Sequence, residues 1–166
     1  MLIRMIASIS RWDGTLKVNR DDGYIPGDTV SDLRTAENTI SVWKGDTQQD
    51  IDDALLALAL NRNDVRKICY VFLEENELKR LGIELEEKEG KAPGITDKAI
   101  LNKHRNLVDI DLWRMGYLAE YILEKGKDPN QLHTFSDKKV KNLLNGYKSK
   151  LDMSKVNERL KEKLNW

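Results

Sequence analysis

An α+β fold is the class this sequence predicts, with a mixed sheet containing one βαβ unit, helices packed on it and a C-terminal helical segment. Three observations carry that expectation. The stretch NTISVWKGDTQQDIDDALLALAL, residues 38 to 60, reads as strand, turn and capped helix, and the apolar run Ile68 to Leu73 follows at the spacing of a crossover. Asp13-Gly14 is a hairpin signal, because both residues tolerate the positive φ of a tight turn. Beyond residue 95 apolar residues recur mainly at helical spacing.

Taken in order, Ile3, Met5, Ala7 and Ile9 alternate as a strand over Leu2 to Ser10, and Leu16 and Val18 alternate beyond the hairpin turn. Asn19 to Asp32 carries Asp22-Gly23 and Pro26-Gly27 with little apolar content, which predicts a surface loop. Residues 39 to 43 form a strand with something to pack on each face. Gly45 and Asp46 turn the chain, and Thr47 caps a helix with Asp50 three residues on. Ala54 to Leu60 is apolar nearly all round, so this helix is buried. Ile68 to Leu73 has the composition of a central strand, paired parallel to the strand before the helix. Glu74 to Leu81 is a short helix ended by Gly82, and Ile83 and Leu85 belong to a short, charged edge strand.

After the linker EGKAPG, Thr96 caps a helix. From Leu107 to Leu123 one apolar stripe, Val108, Leu112, Met115, Leu118 and Ile122, is widened by Ile110, Trp113, Tyr117 and Tyr121. So broad a surface is expected to lie against the sheet. Gly126 and Pro129 stop that helix. Two amphipathic helices finish the chain, one built on Val140, Leu143, Leu144, Tyr147 and Leu151, the other capped by Ser154 and built on Val156, Leu160 and Leu164. The expected division is an α+β domain over residues 1–132 and a basic amphipathic helical appendage over 133–166.

Charge and composition bound the function. The chain has no net charge, yet residues 1–95 hold 18 acids against 13 bases and residues 96–166 hold 10 against 15. Residues 134–166, with nine bases and four acids, account for that excess. The longest apolar stretch is far short of the run of about 18 that spans a bilayer, and the start MLIRMIASIS, with Arg4 inside it, lacks the pattern of a secretory signal. A cytoplasmic protein is expected, and the single cysteine, Cys69, fits a reducing compartment.

A strand, a turn and a helix also cradle phosphates, but this helix start is surrounded by Asp46, Asp50, Asp52 and Asp53, and the chain has neither the Walker spacing nor the three-glycine dinucleotide pattern. His104, His133 and Cys69 are scattered, with no metal-ligand spacing, and neither metal nor cofactor is expected. The one acid–base candidate is His104 with Asp111, seven residues apart and on one face of a continuous helix, flanked by Arg105 and Asp109. Two helical turns, roughly 10 Å, separate them, too far for a direct hydrogen bond. Ser8, Ser10 and Ser41 lack the strand-to-helix elbow of a hydrolase nucleophile.

Two surfaces remain. SDLRTAEN brings Asp32, Arg34 and Glu37 near Trp43, a mixture that suits contact with another protein. Trp166 either inserts into a partner, including a second copy of the chain, or folds back on Leu160 and Leu164. The alternative surface is basic: Lys138, Lys139, Lys141, Lys148, Lys150, Lys155, Arg159, Lys161 and Lys163 suit a nucleic-acid backbone. The expected function is therefore a non-enzymatic protein-interaction module, such as a bacterial immunity or antitoxin-like protein or a small subunit of a larger complex. A nucleic-acid-binding module and a small enzyme centred on His104 are the alternatives.

Overall fold

The computed structural model describes residues 1–14 and 25–166. Its strands are β1 (Leu2–Ile6), β2 (Ile40–Lys44), β3 (Ile68–Leu73), β4 (Glu84–Glu87), β5 (His104–Val108) and β6 (Leu132–Phe135). Its helices are α1 (Gly27–Asp32), α2 (Gln48–Leu60), α3 (Glu75–Arg80), α4 (Lys98–Leu101), α5 (Leu112–Gly126), α6 (Asp137–Tyr147) and α7 (Glu158–Leu164). The strands form one sheet in the order β4-β5-β2-β1-β3-β6, and every pairing is antiparallel. The α+β class stands, and the pairing inside it is corrected. β2 and β3 run the same way, as expected of strands joined by α2, but β1 lies between them and pairs antiparallel with each. The crossover is split, and the sheet is not mixed.

The position of β1 follows from its residues. Leu2 and Ile3 are both fully buried although they point to opposite faces, so this strand is covered on both sides. On one face Leu2, Ile6, Val42, Val71, Leu73 and Leu107 pack under α5 through Leu118, Ala119 and Ile122. On the other, Ile3, Trp43 and Ile68 pack under α2, α6 and α7 through Leu55, Leu56, Val140, Leu144, Leu160 and Leu164. Three layers result, helices on both sides of a sheet. α2 has the capping box expected, the Thr47 hydroxyl accepting from the Asp50 amide while the Asp50 carboxylate accepts from the Thr47 amide, and its residues Ala54 to Ala57 are buried all round.

Several boundaries move. β1 ends at Ile6, and a 3-10 turn over Ile9–Arg11 leads to Gly14, whose φ of +89° is that of the turn residue expected there. Leu16, Val18 and Asp22-Gly23 lie outside the described residues. Pro26-Gly27 opens α1 rather than a turn, as proline's fixed φ allows at a helix start. The helix expected after Thr96 is one short turn, α4, capped by Asp97, and the chain then returns through the sheet as β5 before α5 begins. The expected division at residue 133 falls within β6, which pairs with β3. α6 is capped by Ser136 and α7 by Asn157; Ser154 instead donates its hydroxyl to Asp152.

The two glycines of α5 differ in what surrounds them. A Cβ on Gly126 would stand 1.9 Å from the Trp12 carbonyl oxygen, so α5 can meet the chain there only without a side chain. A Cβ on Gly116 would meet nothing within 4 Å among the described residues beyond its own stretch of helix. Gly126→Ala is expected to lower the unfolding free energy by about 1–3 kcal/mol through overpacking. Gly116→Ala is expected to raise it by about 0.5–1 kcal/mol through helix propensity. Urea denaturation of both variants checks the opposite signs.

Candidate interaction surface

The residues expected to meet a partner near SDLRTAEN have different fates. The Asp32 carboxylate accepts from the Ala7 amide at 2.8 Å and from the Trp12 indole at 2.7 Å, which binds the end of α1 to the chain beyond β1. Arg4, on β1, donates to the Asp32 carbonyl at 3.2 Å and the Ser41 carbonyl at 3.1 Å. Burial works against its charge, and the Asp32 carboxylate offsets part of that cost. Asp32 thus serves the interior. Arg34 is exposed. Glu37 and Asn38, at φ of 55° and 57°, form the two central residues of a turn closed by Ala36 and Thr39. Trp43, only 4% exposed, is a core residue. Trp166 takes the second of its two alternatives: it packs on the α2–α6–α7 core, its indole donates to the Asn145 side chain at 2.7 Å, and the Lys148 ammonium sits 5.6 Å from its ring.

His104 and Asp111 do not share a helix. His104 is in β5, and Asp111 caps α5, accepting from the Arg114 amide at 2.7 Å and its guanidinium at 3.0 Å. Arg105 pairs with Glu87 across the β4–β5 ladder at 2.6 Å, not with Asp109. His104 Nδ1 lies 2.9 Å from the Lys88 carbonyl, an acceptor only, so Nδ1 carries the proton. Burial lowers the imidazole pKa, which keeps the ring neutral. The Trp43 indole meets that ring edge-on at 5.1 Å. An open cavity of about 500 Å³ gathers Glu37, Trp43 and His104 with Ser41 and Asn106. The described hydrogen bonds give His104 no carboxylate partner to orient it.

A charged cluster that the sequence does not reveal joins three elements. Lys103, just before β5, holds Asp50 at 2.6 Å and Asp53 at 2.7 Å on α2. Asp53, 3% exposed, also accepts from Gln49 and from the Tyr147 hydroxyl of α6. The hydrogen bond from Lys103 holds the Asp50 carboxyl below the usual carboxylate range. Burial disfavours the Lys103 ammonium, but its two carboxylates outweigh that and raise its pKa. Every group has a partner, so the cluster fastens α2 to α6 and to the entry of β5.

The C-terminal bases stand on the outside of helices that are docked, not free. Lys155 pairs with Asp152 at 3.1 Å and Lys161 with Glu158 at 2.6 Å. Lys139 and Lys150 lie over the rings of Phe135 and Tyr147. Lys138, Lys141, Lys148, Arg159 and Lys163 are exposed.

The outer face of α5 departs most from expectation. Its inner face is buried, as the stripe through Leu118 and Ile122 predicts. On the outer face Leu112 is 79% exposed, Trp113 76% and Tyr117 47%, and they surround Gly116 and Glu120 in a hollow of about 290 Å³. A sheet covers one side of a helix, and the apolar surface of α5 is wider than that. The excess breadth was the signal in the sequence. Two features of this face do nothing for stability: exposed aromatic surface, which gains little on folding, and a glycine in mid-helix that costs about 1 kcal/mol relative to alanine.

No protein-family model matches the chain, and no curated protein or solved structure matches it. Among the described residues no helix is long and apolar enough to cross a membrane, and no three His, Cys, Asp or Glu residues gather as metal ligands.

The Lys103 cluster predicts different pH responses in wild type and variant. In the wild type the folded pKa of Asp50 lies below its unfolded value, so this stabilisation is present above the unfolded pKa and is lost as acid protonates the folded carboxyl. In Lys103→Met two carboxylates lose their cation, at a cost of roughly 2–3 kcal/mol near pH 7, between the values for exposed and buried pairs. Urea denaturation should find that variant more stable near pH 5 than near pH 7, because protonation of one carboxyl relieves the repulsion. A cost below about 0.5 kcal/mol with the wild-type pH dependence would contradict this role.

Proposed function

We propose that the protein is a non-enzymatic, cytoplasmic protein-interaction module of the bacterial immunity, antitoxin or small-subunit kind, with the outer face of α5 as its contact surface. One observation carries the reading: Leu112, Trp113 and Tyr117 are exposed together around Gly116. Covering a large apolar side chain fully stabilises by about 1.5–3 kcal/mol, and tryptophan and tyrosine are the residues that most often anchor interfaces. Three such groups with a hollow between them can seat one or two side chains of a partner.

The alternatives draw less support. Lys155 and Lys161 are paired within the chain, and the aromatic residues near the C-terminal bases, Tyr147 and Trp166, are partly buried against the core of α2, α6 and α7. His104 lines a cavity, but its one described ring partner is a backbone carbonyl.

A photo-crosslinking residue at Tyr117, compared with one at Lys141 on α6, tests the proposal in cells. The position on α5 should trap one protein that Lys141 does not. That protein, once purified, should bind Trp113→Ala about tenfold or more weakly than wild type, while the variant's unfolding free energy stays within about 0.5 kcal/mol. Identical products from both positions, or full binding by Trp113→Ala, would contradict it.

A further inference from the structure

We infer that the occupant of the α5 face is a basic amphipathic helical segment of a partner protein, a reading that rests on the interaction function proposed above. Charge and backbone argue for it independently.

The charge comes from three elements. Glu120 lines the hollow, and Asp111 precedes Leu112 at the start of α5. Asp109, at φ +54°, joins α5 to β5, and Glu84 of β4 pairs opposite Val108 at the end of β5. Arg114 holds this corner together, donating to the carbonyls of Gly82 at 2.9 Å and Asp109 at 3.0 Å and to the Asp111 carboxylate. Asp111 and Arg114 neutralise each other, which leaves Glu120 on the hollow and Asp109 and Glu84 at the adjoining corner of β4, β5 and α5 without a cation among the described ion pairs. The neighbouring groove between α3 and β4 adds Glu75 and Lys79, which cancel. Glu86 continues the acidic edge along β4, while Glu87 is paired with Arg105. An apolar centre with an acidic rim selects an apolar ridge flanked by lysine or arginine, and it repels both an anionic lipid surface and an acidic partner.

The backbone argument rests on Gly116. Among the described residues outside its own stretch of helix, nothing lies within 4 Å of where its Cβ would be, so their packing does not require glycine there. Glycine is a poor helix former, and on an exposed helix face it leaves room for another backbone to come close; Gly146 of α6 is open in the same way but has no exposed aromatic pair beside it. A helix crossing α5 at Gly116 would set one apolar side chain between Trp113 and Tyr117 and bring its flanking bases toward Glu120 and Glu84.

The test follows the Trp113 indole resonance in two-dimensional NMR of the full chain, assigned by its loss in Trp113→Ala. The probes are an amphipathic helical peptide of leucine and lysine, its leucine and glutamate counterpart, and vesicles of phosphatidylcholine with phosphatidylserine. The lysine peptide should shift Trp113 at millimolar concentration or below, and raised salt should weaken it. The double charge reversal E84K/E120K should weaken it by about tenfold or more. Gly116→Leu, with an unchanged circular dichroism spectrum, should abolish the shift. The glutamate peptide and the vesicles should leave Trp113 unmoved. No shift with the lysine peptide, equal binding of the glutamate peptide, indifference to E84K/E120K, or an equal response to vesicles would overturn the inference. If crosslinking through position 117 still traps a Trp113-dependent partner, such a result removes only the basic helical partner. If that trapping fails as well, the surface itself is removed.

Discussion

The rest of the structure depends on β1 being paired on both edges and covered on both faces. Because it separates β2 from β3, α2 must pass over it, and the passage buries Ala54 to Leu60 against Ile3. Because its other face holds Leu2 and Ile6, a second helical layer is needed there, and α5 supplies it. Arg4 shows the cost of the arrangement. A guanidinium on a doubly covered strand has few acceptors, and carbonyl groups of Ser41 and Asp32 serve it while its Nε has none. Asp32, partly buried, also holds Trp12 and Ala7 through its carboxylate.

A helix that closes one face of a sheet has its inner side decided by packing, and its outer side is free to vary. On α2 almost nothing is left outside, since it shares one core with α6 and α7 and the Lys103 cluster fastens α6 to it through Tyr147. α1 meets α5, but among the described residues nothing covers Leu112, Trp113 or Tyr117, and the outer side keeps the largest exposed aromatic surface they include. An apolar side chain held in water contributes little to folding, whereas the same side chain covered by a partner contributes to binding. The face thus has more to offer an association than the fold.

Much of this was legible in the sequence, and the failures have physical causes. The cap at Thr47, the buried α2, the central β3, the acidic edge strand and the Gly82 stop all follow from local chemistry. β5 was hidden because its burial is largely polar. His104, Arg105 and Asn106 carry no hydrophobic pattern, and Arg105 is accommodated by Glu87 and by the carbonyls of Asn102 and His104. The insertion of β1 between β2 and β3 was hidden because crossover spacing reports the relative direction of two strands, not what lies between them. Of the expected contact residues, Asp32, Trp43 and Trp166 are taken up by the fold, and residue type alone does not distinguish a buried tryptophan from a displayed one. Trp113 and Tyr117 stood in a stripe too wide for one sheet face, and their exposure is what that excess width means.

Equilibrium urea denaturation of the triple variant Leu112→Ser, Trp113→Ser, Tyr117→Ser measures most directly whether the outer face of α5 is surplus to the fold. An unfolding free energy within about 1 kcal/mol of wild type is the predicted result, since surface substitutions away from packing cost little. A loss of about 4 kcal/mol or more would mean that the chain itself covers these side chains, and would contradict the account.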